Sequence, residues 1–203
     1  MNSIKKVLFY TISCLLVLGL ASCKKDDTLR YNNITMGNLV NGKFISDQGN
    51  TFNMVEMNSS VDLKKFKRGI MSCDVLREVG EKEYDVRVNY MDTVFTKTPI
   101  LASVAAEDPE KTVSDPIHIE QLWFSGGYIN LELISHIKKE DSQKHLINLV
   151  YTKDKDGVYN LTLRHNAFGE VYSEETADEL IITPNGSYVS FPLTFIEEDE
   201  AKL

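Results

Sequence analysis

The sequence is poor in cysteine, histidine and positive charge. Its 203 residues include three cysteines and four histidines, and 22 Lys and Arg stand against 30 Asp and Glu for a formal net charge of -8. With so few cysteines, stability has to come from buried apolar area. The acidic balance disfavours nucleic acid as a partner, because nucleic-acid binding depends on positive charge. Hydrophobic residues make up 42% of the chain, which excludes a disordered polyelectrolyte.

Long apolar runs are also lacking, apart from residues 7–20 (VLFYTISCLLVLGL), which follow Lys5 and Lys6. A helix of this length rises about 21 Å, which is short of the roughly 30 Å hydrocarbon layer of a bilayer. We therefore interpret residues 1–22 as a signal peptide and not as a membrane span.

The residues that end this segment, Leu20-Ala21-Ser22-Cys23, resemble the bacterial lipobox. The resemblance implies cleavage before Cys23, transfer of a diacylglyceryl group to its sulfur and acylation of the new amine. Several acyl chains give stable attachment to a membrane. Cys73 is then the one thiol left, and no intramolecular disulfide can form. The alternative is an ordinary secretory signal, with Cys23 an incidental thiol.

A charged cluster, Lys24-Lys25-Asp26-Asp27, follows directly. Lys25, Asp26 and Asp27 resemble the export signal of surface lipoproteins in the Bacteroidetes, which implies transfer to the outer face of the outer membrane. The simpler interpretation is the solvated start of a linker. Without residues 1–22 the chain keeps 20 Lys and Arg against 30 Asp and Glu, a net charge of -10. The lipid, and not a basic patch, is therefore expected to hold the protein at the membrane.

The remaining chain has the patterns of an all-β protein. Residues 23–38 are polar and without a sustained period, which is typical of a flexible tether. From residue 40 onward apolar and polar residues alternate with period two, and turn-forming residues separate these runs at 47–50, 125–127 and 154–157. Three of the five prolines lie between residues 96 and 116, so we expect no sheet there, only a domain connection with a short helical turn. The pattern predicts a small barrel over 39–105 and an antiparallel β-sandwich over 106–203.

Motifs for catalysis are not found in the sequence. The histidines lack the spacing of a zinc site, and there is no Gly-Xaa-Ser-Xaa-Gly elbow, P-loop or dinucleotide-binding glycine motif. We therefore expect no catalytic residue, no metal and no cofactor. His165 shares a strand face with Leu161 and Leu163, which favours a partly buried, hydrogen-bonded ring. Cys73 lies between Met71 and Val75 on an apolar face, which predicts a core thiol.

One pattern suggests binding of sugars, and another suggests covalent attachment of sugars. Trp123 and Tyr128 flank the Gly126-Gly127 turn, where their rings could stack on pyranose faces; alternatively they fill a core or brace the hairpin. Asp27-Thr28-Leu29 and Asp92-Thr93-Val94 match the O-glycosylation pattern of extracytoplasmic Bacteroidetes proteins. Thr28 and Thr93 are therefore candidate acceptors.

Several short motifs, in their order along the chain, resemble those of the NigD-like lipoproteins of Bacteroidetes. The match involves the lipobox, the hairpin from Gly42-Lys43-Phe44 to Phe52, the run Tyr159-Asn160-Leu161-Thr162-Leu163-Arg164-His165-Asn166 followed by Gly169, and the closing Val189-Ser190-Phe191-Pro192-Leu193. The resemblance implies an N-terminal OB-like β-barrel followed by a C-terminal β-sandwich. It assigns no catalytic residue.

The sequence leads to two functional hypotheses. The first is a non-enzymatic outer-membrane lipoprotein at the cell surface, held by lipid at Cys23, that binds a protein partner as a monomer. The second is a glycan-binding accessory lipoprotein that uses Trp123 and Tyr128.

Overall fold

The structure, a computed structural model, describes residues 29–58, 62–64, 66–140, 144–182 and 187–196. Residues 1–22, predicted to be a signal peptide, and Cys23, Lys25, Asp26, Asp27 and Thr28 lie outside these described residues, so the predictions made for them stay predictions. Within the described residues the chain consists mainly of β-strands, as the period-two pattern predicts.

The first five strands form a closed barrel. They are β1 (Leu29–Val40), β2 (Lys43–Ser46), β3 (Thr51–Met57), β4 (Arg68–Gly80) and β5 (Glu83–Thr93). Their order is β1-β2-β3-β5-β4. Strand β1 pairs antiparallel with both β2 and β4, and β3 pairs parallel with β5. The predicted OB-like β-barrel is confirmed.

The barrel core holds inward-facing residues of these strands together with Phe66, which precedes β4. It consists of Phe44, Phe52, Phe66, Met71, Cys73, Val75, Val86, Val88 and Met91. Cys73 is 1% exposed, which confirms the predicted core thiol. Burial and, second, the neighbouring Asp74 raise the pKa of the Cys73 thiol to about 11. Because the thiolate is the reactive form, this cysteine serves packing.

The remaining strands build a β-sandwich. They are β6 (Phe95–Thr96), β7 (Ile100–Leu101), β8 (His118–Ser125), β9 (Tyr128–Ile134), β10 (His136–Lys138), β11 (Leu146–Lys153), β12 (Tyr159–Asn166), β13 (Leu180–Ile182) and β14 (Ser187–Pro192). One sheet has the order β6-β14-β9-β8 and another β12-β11-β7, while β10 pairs with β13. Their shared core consists of Ile129, Leu131, Leu133, Ile147, Leu149, Val189 and Phe191. The predicted β-sandwich is confirmed.

The turns predicted from sequence lie where expected. Residues 47–50 connect β2 to β3, and Gly126 and Gly127 connect β8 to β9. In the turn between β11 and β12, Oδ1 of Asp154 accepts the backbone N–H groups of Asp156 and Val158, both at 2.9 Å. This Asp154 arrangement is a hairpin turn, as predicted.

The flexible tether predicted for residues 23–38 is wrong from Leu29 onward, because these residues form β1. Thr35, Met36 and Gly37 are buried, and Asn38 accepts a hydrogen bond from Arg68. The outer face of this strand end meets the sandwich and not water, so its sequence lacks the alternation of a half-solvated strand. The barrel therefore begins before the predicted residue 39.

The predicted boundary between residues 105 and 106 is also wrong. Strand β6 pairs parallel with β14, and β7 pairs parallel with β11, so residues 95–101 already belong to the sandwich. Both strands are two residues long, lie at sheet edges and are separated by the segment that holds Pro99, so this proline interrupts no ladder. The expected helical turn is α1 (Ala102–Ala105), and a 3-10 helix (Pro109–Lys111) follows it.

Candidate functional site

The four-stranded sheet β6-β14-β9-β8 has two different faces. Residues of β9 and β14 alternate, and one set, which includes Leu131 and Val189, packs into the sandwich core. The other set includes Asn130 and Ser190, which are fully buried although they are polar. Both contact Arg68 of the barrel. The second face of this sheet is therefore the surface on which the barrel sits.

Arg68 is the centre of the contact between the two domains. Its Nη1 and Nη2 donate to Oδ1 and Oδ2 of Asp47 at 2.9 and 2.8 Å, a bidentate ion pair. Its Nε donates to Ser190 Oγ at 2.9 Å, and Nη2 also donates to Asn130 Oδ1 at 2.9 Å. The side chains of Arg68 and Asp47 are 2% and 1% exposed. This paired buried charge fixes the orientation of the barrel on the sheet.

Tyr128 and Ser125 complete this Arg68 cluster. The guanidinium carbon lies 3.8 Å from the centroid of the Tyr128 ring, a cation–π contact. The Ser125 hydroxyl donates to Oδ2 of Asp47 at 2.6 Å. The Tyr128 hydroxyl donates to Asn38 Oδ1 at 3.4 Å. Tyr128 therefore binds an arginine of its own chain, and any contact with an external ligand stays a prediction.

Beside the Arg68 cluster the same sheet face is open, and it forms a groove against the barrel. Two adjoining cavities of about 960 and 340 Å³ make up this interdomain groove. They share the lining residues Ile34, Ile70, Glu132 and Tyr188. Further lining side chains with aromatic rings are Tyr90, Phe95 and Trp123. Of the two residues predicted to contact a ligand, Trp123 is the one that lines this groove.

The groove combines aromatic rings with carboxylates. The rings of Trp123 and Tyr188 meet edge to face, with centroids 6.4 Å apart. The Tyr188 hydroxyl donates to Oε1 of Glu132 at 3.4 Å, and the Tyr90 hydroxyl donates to Oδ2 of Asp92 at 3.2 Å. Burial, reinforced by the nearby carboxylate, raises the pKa of both tyrosines. Both hydroxyls therefore stay protonated and hold their carboxylates in place.

Thr93 lies at the end of β5, is exposed and lines the same groove. Burial therefore does not block this candidate acceptor. Its O-glycosylation stays a prediction.

Comparison with known proteins adds the family. The family model described as NigD-like C-terminal beta sandwich domain matches residues 100–203, just over half of the chain. The chain belongs to the NigD-like family. The match spans the sandwich, so the resemblance seen in the sequence is confirmed.

Three of the solved structures similar to this NigD-like chain come from Bacteroides species. They are a protein of unknown function from Bacteroides vulgatus (21% identity, TM-score 0.63, covering 84% of this chain and 80% of that chain), a NigD-like immunity protein from Bacteroides caccae (19%, 0.57, 81% and 77%) and a protein from Bacteroides fragilis whose name includes the word lipoprotein (16%, 0.56, 86% and 82%). At these identities the likeness shows the fold alone. No curated protein matches the chain.

A second polar cluster lies inside the NigD-like sandwich, where sequence reasoning did not place one. His165 Nε2 lies 2.9 Å from His145 Nδ1, and His145 Nε2 lies 3.3 Å from Oε2 of Glu170. His165 is 2% exposed, which confirms the predicted buried, hydrogen-bonded ring. Burial lowers the pKa of His165, against the raising effect of the carbonyl oxygens of Asp115 and Pro116.

The register of the β11–β12 hairpin is the sequence signal from which this histidine pair could have been predicted. The turn at 154–157 places His165 opposite Ile147, and His145 lies two residues further along the same face. The side chains of His165, His145 and Glu170 are hydrogen-bonded in a row and do not converge on one point. Among the residues that the structure describes, no group of three or more His, Cys, Asp or Glu side chains is arranged to bind a metal ion. In the same part of the chain, no helix is long and apolar enough to cross a bilayer.

Proposed function

We propose that this protein is a non-enzymatic lipoprotein, held in the outer membrane through Cys23 and exposed at the cell surface, that binds a protein partner in the interdomain groove. The observation that carries the proposal is the groove itself, which lies between two domains and is lined by Tyr90, Phe95, Trp123 and Tyr188. Aromatic residues of this kind are enriched at protein interfaces.

The Arg68 cluster supports binding by a rigid surface. Because a buried bidentate ion pair fixes the barrel on the sheet, both walls of the groove stay in place without a ligand. A preformed surface loses little conformational entropy when a partner binds. Asp92 and Glu132 accept hydrogen bonds from tyrosines of the groove, so their positions also are set in advance.

The lipobox ending at Cys23 supports the anchor, as does the likeness to a Bacteroides fragilis protein whose name includes the word lipoprotein. Strand β1 begins at Leu29, so five residues separate Cys23 from the barrel. Such a segment spans at most about 18 Å. The barrel is then held close to the membrane.

The anchor and its exposure are tested in the producing cells. We expect labelled palmitate to enter the wild-type protein and not the Cys23→Ala variant, which should leave the membrane fraction. Added protease should degrade the protein on intact cells. A wild-type protein without label would contradict the anchor, and complete protection of an otherwise protease-sensitive protein would contradict surface exposure.

Binding in the groove is tested by photo-cross-linking in cells. A photoreactive residue replaces Phe95, which lines the groove and is 53% exposed, and in a matched control it replaces Val158 at the far hairpin turn, which is 55% exposed. We expect a discrete protein adduct from position 95 and none from position 158. Equal adducts from both positions, or none from either, would contradict a protein partner in the groove.

A glycan-binding accessory role is the second candidate, because Trp123 and Tyr188 present two rings on one groove wall. Stacking on sugar rings would use those faces. A glycan array followed by calorimetry tests this role: saturable binding that is lost in Trp123→Ala supports it, and the absence of binding to any glycan contradicts it.

A further inference from the structure

At its charged and aromatic positions the groove offers a partner hydrogen-bond acceptors and ring faces. The hydroxyl of Tyr90 donates its hydrogen bond to Asp92, and the hydroxyl of Tyr188 donates to Glu132. Oδ1 of Asp92 also accepts the backbone N–H of Thr93 at 2.7 Å. A carboxylate has two oxygens and up to four acceptor sites, so both carboxylates keep lone pairs that these hydrogen bonds do not use. The charged side chains lining the described groove are these two, both negative. Such a surface is complementary to a cation with several N–H donors.

The same sheet face already binds one such cation, the guanidinium of Arg68. Arg68 lies over the ring of Tyr128 and is paired with Asp47. Tyr128 pairs with Pro192 in the β9–β14 ladder, and Glu132 pairs with Tyr188 in the same ladder. Residues 128 and 132 therefore point to the same side of β9. Next to this site on the same sheet face, the groove offers the same two groups in another arrangement, with the carboxylate of Glu132 from β9 and the ring of Tyr188 from β14.

We infer that the interdomain groove binds an arginine side chain presented by the protein partner, with the guanidinium against the Tyr188 ring and paired with Glu132. Tyr90 and Asp92 form a second unit of the same composition at the barrel wall, so a segment with two arginines would occupy both. The inference rests on the proposed function, because it names the chemistry of the partner in that groove.

Charge and hydrogen bonding both favour arginine over a sugar. Sugar hydroxyls donate and accept alike, whereas guanidinium has five donors and no acceptor. The mature chain has a net charge of -10, counted from Cys23 onward, which attracts a cationic segment over longer distances. Gln48 and Gln121, which offer amide donors, line the Trp123 end of the groove, away from Asp92 in the larger cavity.

Trp123 makes the inference measurable, because it is the single tryptophan of the chain and lines the groove. The probe is an acetylated peptide amide, Gly-Arg-Gly-Arg-Gly, added to the mature lipoprotein in detergent at low salt. The control peptide has citrulline at both arginine positions, which keeps the shape and removes the charge. We expect a saturable change of tryptophan fluorescence with the arginine peptide only, weakened by added salt.

Variants locate the binding. Glu132→Gln should weaken it at least about tenfold, as expected for one lost charge-assisted pair. Asp92→Asn changes an exposed position of β5 and should also weaken binding. This second variant keeps the test if Glu132→Gln fails to fold. Glu78→Gln removes an equal charge from an exposed barrel site and should leave binding within the error of the wild type.

Failure of this inference is distinct from failure of the proposed function. Equal responses to the arginine and citrulline peptides, or equal losses in Glu132→Gln and Glu78→Gln, would overturn arginine recognition. An adduct at position 95 would still support a protein partner of other chemistry. A fluorescence response to oligosaccharide, with none to the arginine peptide, would overturn the inference in favour of the glycan candidate.

Discussion

Gly126 shows at the scale of one residue how closely the two domains meet. Its φ is +57°, and a Cβ atom there would collide with the side chain of Asp47. Gly127 has φ +79° with open space around a Cβ atom. Both positions need the left-handed conformation that glycine adopts readily. They differ in the contact with Asp47, which makes them a matched pair.

We predict that Gly126→Ala destabilises the protein more than Gly127→Ala does. Both variants hold an alanine at positive φ in the folded protein, at a cost above about 1 kcal/mol. Gly126→Ala additionally displaces the carboxylate that pairs with Arg68. Urea unfolding of the two variants measures the difference. Equal losses would show that Asp47 moves aside without cost.

Single elements show which features could be predicted from sequence. The hairpins β2–β3, β8–β9 and β11–β12 follow from turn residues between alternating runs, because such signals are local. Strand β1 was missed, because Asn38 and its neighbours face a second domain and not water. Strands β6 and β7 were missed because a two-residue strand has no period to detect.

The β11–β12 hairpin leads to a pH prediction. Burial lowers the pKa of His165 in the folded state, so the unfolded chain takes up a proton near the ordinary pKa of about 6.5 and the folded chain only at lower pH. The stability that depends on neutral His165 is thus present above about pH 6.5 and is lost as the pH falls below it. The groups that face the ring are His145 and Asp115.

His165→Gln should therefore be less stable than the wild type at neutral pH, and its free energy of unfolding should fall less steeply on acidification. Urea unfolding at about pH 7.5 and about pH 5.5 measures both effects. His118→Gln is the control, because it removes an imidazole that is exposed on β8 and should leave the free energy of unfolding at about pH 7.5 close to that of the wild type. Parallel slopes for His165→Gln and the wild type would contradict a lowered pKa.

At the scale of the whole molecule, the fold class and the two domains could be predicted, and the groove could not. The groove depends on how the domains are oriented, which rests on contacts of Arg68 with Asp47, Asn130 and Ser190. These partners are 21, 62 and 122 residues from Arg68 in the sequence. No turn or period links positions so far apart. Trp123 could be singled out as a surface aromatic. Tyr188 meets it across the sheet β14-β9-β8, whereas Tyr90 belongs to the barrel and lines the groove only because of the domain contact.

We predict that the Arg68–Asp47 ion pair makes the two domains unfold together in a single transition. Asp47→Ala leaves the arginine buried and unpaired, at a cost of about 3–5 kcal/mol, whereas the double variant Asp47→Ala, Arg68→Met removes both charges and should cost less than the single variant. Trp123 reports on the sandwich strand β8 and on the domain contact, because it packs against Met36 and Ile70 of the barrel, and circular dichroism reports on both domains. We expect the two signals to coincide during urea unfolding of the wild type and to separate in Asp47→Ala, because the barrel then loses its hold on the sheet. If the double variant is the less stable one, Arg68 stabilises the contact through Ser190 and Asn130 even without Asp47. If the two signals still coincide in Asp47→Ala, the domain contact does not depend on this ion pair, and the groove walls are held by the apolar contacts of Met36, Ile70 and Val94 with Trp123 and Tyr188.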